Sequence, residues 1–271
     1  VLNKTKEHLV IDDVHYHEHI SEKLPNRLKK PSSIAPHLAD KFLTNHLHSI
    51  DTSISGNWQK ELSKIIRVSV GEFKAPINAA AMVIERKTGD VKAYVGSSKY
   101  LEIKRKGAVN YLAAVRSPGS TLKPLIYAKA LQRGFITTNH VYQDKIFHQN
   151  GYTPTNFDGN WTGEVTLKDA LIRSLNIPAI ETLGMLGAEQ FEKNLRSFFG
   201  TEIGHGKEAG LSLAAGGFYM NAENLADLYV ELADPGHEGK ISFLKDEITS
   251  PNSFLINTKT SSNILSLLSQ N

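Results

Sequence analysis

The sequence contains no cysteine, which excludes a disulfide framework, a thiol nucleophile and a cysteine-ligated metal site. It has no apolar run long enough to cross a membrane and no recognisable signal peptide. It also lacks a strong excess of charge of one sign, since the formal net charge is +3 and the pI is about 8.8. Such a mild balance does not indicate binding to nucleic acid, so we predict no nucleic-acid partner.

What the sequence does contain is the composition of an ordinary globular protein, with 40% apolar and 22% charged residues in a chain of 271. Residues 1–50 are polar and punctuated by Pro25, Pro31 and Pro36, so we predict a linker or lead-in from an upstream domain there. Residues 51–271 are predicted to form the folded domain.

Hydrophobic periodicity predicts a β-hairpin, formed by Ala79–Ile84 and Val91–Val95 around a turn that contains Gly89. It also predicts six helices. These are Trp58–Val70, Ser120–Leu131, Thr166–Leu175, Ala188–Phe199, Ala222–Leu232 and Ser261–Leu268. The layout indicates an α/β or α+β fold with few strands for its length.

The run Arg116–Pro124 carries the first chemical signal, a Pro-Gly turn leading into Ser120 and Lys123 at the start of a predicted helix. A serine and a lysine one turn apart share a helix face, and the N-terminal backbone N–H groups favour a developing alkoxide. This pattern predicts a serine nucleophile that works without histidine. In the alternative interpretation, Ser120 is only an N-cap and Lys123 is a solvated lysine of the first turn.

A second signal, Ser174 and Asn176, lies at the end of the helix predicted to run to Leu175. Two polar side chains on such a turn could present a hydroxyl and an amide to one cleft. In the alternative interpretation they form a helix C-cap, with Asn176 left-handed and Pro178 ending the helix. Both patterns recur by accident in the chain, at Ser242–Lys245 and Ser261–Asn263.

Three histidines, His15, His17 and His19, lie at every second position of the polar lead-in, close to Asp12, Asp13 and Glu18. Alternating histidines in such a segment are usually solvated, and no further ligands accompany them. We therefore predict no metal site and no cofactor.

Three further blocks accompany these two signals, namely Ala35–Ala39, Tyr152–Asp158 and Gly163–Leu171. Together with Arg116–Pro124 and Ser174–Pro178, they resemble the penicillin-binding proteins, the serine D,D-transpeptidases of peptidoglycan synthesis, and among them the bifunctional (class A) members. Ala35–Ala39, with the Ser-Pro-Gly-Ser form of residues 117–120, indicates the penicillin-binding protein 1C branch. The resemblance covers roughly residues 30 to 270.

The resemblance implies the transpeptidase fold shared with serine β-lactamases, a mostly antiparallel sheet flanked by helices, with a helical subdomain that carries Ser120. It implies that Ser120 attacks the carbonyl of a D-Ala-D-Ala stem peptide and that Lys123 takes the hydroxyl proton. Ser174 would pass a proton to the leaving nitrogen, and Asn176 would hydrogen-bond to the substrate amide.

The partners implied by the resemblance are peptidoglycan stem peptides and β-lactams, together with a glycosyltransferase domain upstream in the parent protein. The parent is expected to be periplasmic and anchored in the inner membrane, with the anchor outside this chain.

The chain departs from the family pattern at the third motif, Lys-Thr-Gly. Its only such triplet, Lys87–Gly89, precedes Ser120 and falls in the predicted hairpin turn, while Lys259–Ser261 lacks the glycine and opens a predicted helix. We therefore expect the transpeptidase domain (51–271) to be truncated before this motif, without the C-terminal part of its sheet. The open edge would then be available for pairing with another chain.

Two alternatives to a transpeptidase stay open. One is a catalytically incomplete fragment, or a non-catalytic interaction module of the same family, which the missing motif favours. The other is hydrolysis in place of transfer, as in a D,D-carboxypeptidase or a β-lactamase.

Overall fold

A computed structural model describes residues 33–43, 49–73, 76–148, 151–199, 203, 208–234, 240–245 and 256–270. The chain divides into two compact units, Val1–Ser33 and Ile34–Asn271, and all described residues after Ser33 belong to the second. Most of the predicted lead-in, including His15, His17 and His19, lies outside the described residues. The predicted domain boundary after residue 50 stays a prediction.

The described part of the chain combines α-helices with short antiparallel sheets, as predicted. Its elements are α1 (Pro36–Leu43), α2 (Gly56–Gly71), β1 (Ala81–Ile84), β2 (Val91–Val95), α3 (Lys123–Gln132), β3 (Val141–Asp144), β4 (Gly163–Thr166), α4 (Leu167–Ile172), α5 (Asn176–Leu186), α6 (Ala188–Phe199), α7 (Ala222–Ala233) and α8 (Thr258–Leu268). Three 3-10 helices, Ile103–Arg105, Gly119–Leu122 and Gly210–Ala215, lie between them. None of the described helices is long and apolar enough to cross a membrane.

Strands β1 and β2 form the predicted antiparallel hairpin, and the Lys-Thr-Gly triplet (87–89) lies in its turn. Helix α2 covers the outer edge of β2 through Gln59, whose side chain accepts from the Tyr94 N–H (2.7 Å) and donates to the Tyr94 carbonyl (3.0 Å). The amide thus takes the place of a neighbouring strand. Among the described residues, β1 pairs with β2 alone.

The larger hydrophobic core surrounds α3 and α5, whose buried residues include Leu125, Ile126, Ile180 and Leu183. Helix α5 is apolar on most of its surface, which is typical of a helix enclosed by others. Helix α5 is not predicted from the sequence, because Pro178 is also typical of a helix end. The proline lies instead in the first turn of α5, where its missing N–H costs no hydrogen bond.

A second antiparallel hairpin, formed by β3 and β4, leads directly into α4. Thr166 caps that helix, since its hydroxyl oxygen accepts from the Asp169 N–H. Helix α4 ends at Ile172, three residues before the predicted end at Leu175. This hairpin and the early end of α4 bring Ser174 and Asn176 against Lys123.

Candidate active site

The segment before α3 forms a tight turn that presents Ser120. Gly119 has a φ of 57°, a left-handed conformation that glycine adopts without strain, and residues 119–122 then form a 3-10 helix. The Thr121 hydroxyl donates to the Pro118 carbonyl at 2.7 Å and closes this turn. The α-helix therefore begins at Lys123, not at Ser120 as predicted, because the first turn takes the tighter 3-10 form that is frequent at helix N-termini.

A segment distant in sequence, between Gly216 and Met220, holds this turn in place, and its sequence pattern does not predict this role. Ser117 donates its hydroxyl hydrogen to the Gly216 carbonyl at 2.6 Å, and Arg116 and Met220 exchange backbone hydrogen bonds at 2.9 and 3.0 Å. The approach is so close that a Cβ at Gly216 would lie 2.8 Å from the Gly119 Cα. Glycine at position 216 is therefore required for the geometry of the turn.

Lys123 is buried, with only 2% of its surface exposed, which rules out the alternative of a solvated first-turn lysine. Its Nζ lies 2.6 Å from the Ser174 carbonyl oxygen, 2.7 Å from Asn176 Oδ1 and 3.3 Å from Ser174 Oγ. The structure thus brings together three of the four predicted site residues, from segments that are far apart in the sequence.

Burial lowers the pKa of Lys123 to about 8, because an ammonium loses hydration inside the protein. No carboxylate of the described residues forms an ion pair with Lys123. In the neutral amine, two hydrogens match the two close acceptors, the Ser174 carbonyl and Asn176 Oδ1, and one lone pair is left over. That lone pair is what a proton acceptor requires.

Ser174 occupies a helix cap of the Schellman type, since its N–H donates to the Leu171 carbonyl and the Leu175 N–H donates to the Ala170 carbonyl. Its φ of 54° is a left-handed conformation more often taken by glycine. A cap does occur here, as the alternative interpretation supposed. However, its left-handed residue is Ser174, because Asn176 already begins α5.

Asn176 is held at its backbone and at its side chain by the block that precedes β4. Its N–H donates to Asn156 Oδ1 at 2.8 Å, and its Nδ2 donates to the Thr155 carbonyl at 2.7 Å. These bonds turn Asn176 Oδ1 toward Lys123. Residues 152–158 resemble the family pattern, but the sequence indicates no role for Asn156, because its contact with Asn176 is made only in the folded chain.

Ser120 lies three residues before Lys123, and its side chain is exposed. Within the described part of the chain, no hydrogen bond joins the Ser120 hydroxyl to Lys123, Ser174 or Asn176. As the second residue of the 3-10 helix, Ser120 also has no intrahelical partner for its N–H. The Ser120 side chain is therefore exposed to solvent, and Ser120 precedes the buried Lys123 amine by three residues in the sequence.

The accidental copies of the two signals, Ser242–Lys245 and Ser261–Asn263, are here called the lookalike motifs, and their serines have structural roles. Ser242 is buried and donates to the Leu244 carbonyl, while Ser261 is buried in α8 and donates to the Leu232 carbonyl. Lys259 also lies on α8 and not on a strand. The described ranges contain no group of three or more side chains able to hold a metal ion.

A basic cavity of about 570 Å³ lies apart from Lys123, Ser174 and Asn176. Lys104, Arg105, Lys106 and Arg116 contribute to its lining. It contains none of the predicted site residues.

Comparison with known proteins gives this arrangement a context. Residues 79–263 match the family profile described as "Penicillin binding protein transpeptidase domain". Penicillin-binding protein 1C of Escherichia coli (strain K12) is 29% identical over 251 residues, which make up 90% of this chain and 33% of that protein. Penicillin-binding protein 1F of Bacillus subtilis (strain 168) is 39% identical over 139 residues, or 51% of this chain and 18% of that protein. The chain thus spans a third or less of the length of these relatives.

A crystal structure of a peptidoglycan glycosyltransferase from Burkholderia ambifaria shares the fold, with a TM-score of 0.65 over 80% of this chain and 72% of that one. The two are 21% identical in sequence, so this likeness concerns the fold alone. The profile match covers about two thirds of the chain and includes Ser120, Lys123, Ser174 and Asn176. The chain therefore belongs to the family of penicillin-binding protein transpeptidase domains.

Proposed function

We propose that this chain is a serine D,D-transpeptidase domain that cross-links peptidoglycan stem peptides through an acyl-enzyme at Ser120. The observation that carries the proposal is the buried Lys123 amine, held against Ser174 and Asn176 three residues after an exposed serine. With its pKa lowered to about 8, Lys123 is partly neutral near physiological pH, which suits a proton acceptor.

In the first step, Ser120 Oγ attacks the carbonyl carbon of the D-Ala-D-Ala peptide bond, and its proton passes to the Lys123 amine. The Ser120 N–H is free to donate to the developing oxyanion. The tetrahedral intermediate collapses with loss of the D-alanine nitrogen, which takes a proton delivered from Lys123 through the Ser174 hydroxyl. An ester between Ser120 and the stem peptide remains.

In the second step, the amine of a neighbouring stem peptide attacks this ester and gives up a proton as Ser120 regains one. Asn176 Nδ2 carries two hydrogens, one of which is used by the Thr155 carbonyl. The other is available to a carbonyl of the bound peptide. β-Lactams present a strained amide to the same serine and would be trapped as esters.

From the resemblance to class A penicillin-binding proteins, we further propose that the parent protein is periplasmic, anchored in the inner membrane and joined to a glycosyltransferase domain. A catalytically incomplete fragment is the second candidate for this chain by itself. It is favoured by the position of the Lys-Thr-Gly triplet in the distal hairpin turn (87–89), away from Lys123.

The test is labelling with a fluorescent β-lactam, applied to the full-length protein and to this chain in parallel. We expect labelling that is lost in Ser120→Ala and kept in Ser262→Ala, an exposed serine within the lookalike motif on α8. Labelling of the full-length protein alone would support the incomplete fragment. If neither protein is labelled although both are folded, and neither turns over a stem-peptide substrate, the proposed function is wrong.

A further inference from the structure

Asp144, at the end of β3, is a carboxylate with no exposed surface and, among the described residues, no cationic partner. Its described partners are all N–H donors. Asn156 Nδ2 donates to both of its oxygens at 2.9 Å, and the Thr162 N–H donates to Oδ2 at 2.8 Å. A buried carboxylate is costly to the fold, so its retention calls for a role.

The carboxylate determines how the Asn156 amide is oriented. Since Asn156 Nδ2 is directed at Asp144 and at the Asn160 carbonyl (2.9 Å), its Oδ1 must face the other way. There it accepts from the Asn176 N–H at 2.8 Å. If the amide were rotated by half a turn, two donors would face each other and a carbonyl would face the carboxylate.

The side-chain amide of Asn176 is likewise held in one orientation, with its oxygen toward Lys123. The Thr155 carbonyl takes Asn176 Nδ2 at 2.7 Å, so that Oδ1 points at Lys123 Nζ, also at 2.7 Å. A continuous path of hydrogen bonds therefore runs from Asp144 through Asn156 to Asn176 and Lys123. Asn156 is 3% exposed, so water cannot readily replace any bond in the interior part of this path.

We propose that Asp144 and Asn156 are positioning residues for acyl transfer. They fix the backbone of Asn176, whose side-chain amide the Thr155 carbonyl orients toward Lys123, and they thereby fix the place of the Lys123 amine. This inference rests on the proposed function for its catalytic consequence. Its structural part, the coupling of Asp144 to Lys123, stands on the hydrogen bonds alone.

Exchanging the side chains of Asp144 and Asn156 gives a sharp test, because the exchanged pair again matches most donors with acceptors. Asp144→Asn leaves more donors than acceptors, and Asn156→Asp brings two buried carboxylates together. In the double variant Asp144→Asn/Asn156→Asp, the new carboxylate can accept from the Asn176 N–H and from the amide at 144. That amide can still accept from the Thr162 N–H, so only the Asn160 carbonyl loses its donor.

We expect each single variant to slow β-lactam acylation of the full-length protein by about tenfold or more, and the exchanged pair to recover most of that loss. If Asp144 and Asn156 contributed only to stability, the loss of acylation in each variant would parallel its loss in melting temperature. The variants are therefore also made in the Asn176→Ala background, in protein shown to be folded at the assay temperature. There Asp144→Asn should lower stability without a further loss of acylation, since the amide to be positioned is gone.

A readout independent of activity is the titration of Lys123 in this chain, followed by ¹³C NMR of labelled lysine and assigned with Lys123→Arg. Asp144→Asn should lower the Lys123 pKa, because it loosens Asn176 Oδ1, an acceptor of the ammonium. The exchanged pair should restore it. An unchanged titration in both variants would overturn the coupling, and full additivity with Asn176→Ala would overturn the positioning role. Absence of acylation in the wild type would count against the proposed function alone, since the titration still decides the coupling.

Discussion

The Lys123 Nζ atom lies 2.7 Å from Asn176 Oδ1, and this contact joins two segments that are 53 residues apart in the sequence. The same nitrogen lies 2.6 Å from the Ser174 carbonyl, so one buried amine holds the start of α3 to the turn between α4 and α5.

Acylation of Ser120 should depend on pH through Lys123. Because burial lowers the pKa of this lysine to about 8, the neutral amine becomes the main form above that pH. The acylation rate constant should therefore rise with pH, with a midpoint near 8, in stopped-flow or quenched labelling. Lys123→Arg keeps the charge and cannot lose its proton, so it should be slow at every pH. A flat profile in the wild type through this range would contradict a role of Lys123 as proton acceptor.

Gly216→Ala should destabilise the domain by about 2 kcal/mol and slow acylation. Gly216 has a φ of 95°, and a Cβ there would lie 2.6 Å from Ser117 Oγ and 2.8 Å from the Gly119 Cα, so the turn before Ser120 must move. Gly56→Ala is the matched control, since that helical glycine has open space around its Cβ position. It should leave both the denaturation midpoint and acylation unchanged or slightly improved. Equal effects of the two variants would refute the argument from close approach.

The sequence predicted the elements whose pattern is local. The hairpin of β1 and β2 and the helix α6 follow from periodicity, and Ser120 and Lys123 follow from their spacing. The sequence did not predict α5, because Asn176 and Pro178 are also typical of a helix end.

The roles of Asp144 and Asn156 could not be predicted, for a different reason. Asn156 lies 20 residues before Asn176 and contacts it only after the hairpin of β3 and β4 has formed. Burial of Lys123 is likewise a result of packing against the turn after α4. Such long-range contacts leave no signal in the spacing of a single sequence.

Tyr127 offers a test of the larger hydrophobic core at a side chain whose hydroxyl forms no hydrogen bond with the described site residues. It is fully buried on α3, and its hydroxyl has no hydrogen-bond partner among the described residues. Since a buried polar group without a partner is destabilising, Tyr127→Phe should raise the free energy of unfolding by about 1 kcal/mol. Tyr142→Phe is the matched control, because the Tyr142 hydroxyl does have a partner, Thr182, at 2.8 Å. Chemical denaturation should show opposite signs for the two variants.

Asp227 should make the stability of the domain fall as pH rises from about 4 to about 6. Burial raises the pKa of Asp227 to about 6, so the folded state binds more protons than the unfolded state in this window. Above about pH 6, ionisation of the buried Asp227 lowers the free energy of unfolding by up to about 3 kcal/mol. Asp227→Asn keeps an acceptor for the Ile241 N–H and should be more stable than the wild type at neutral pH. Denaturation curves at several pH values should show that this advantage vanishes near pH 4, and a constant difference would contradict the assignment.

Ser174→Gly should stabilise the fold and impair the chemistry in a single substitution. The left-handed backbone at this position, with φ at 54°, costs a residue with a Cβ about 1 kcal/mol, which glycine does not incur. Loss of the hydroxyl removes the group proposed to pass a proton to the leaving nitrogen, so acylation and turnover should slow. Ser174→Ala removes the hydroxyl and keeps the strain, so the difference in stability between the two variants isolates the backbone contribution. Lys106→Gly, at the other described non-glycine residue with a positive φ (51°), should gain similar stability with no change in acylation.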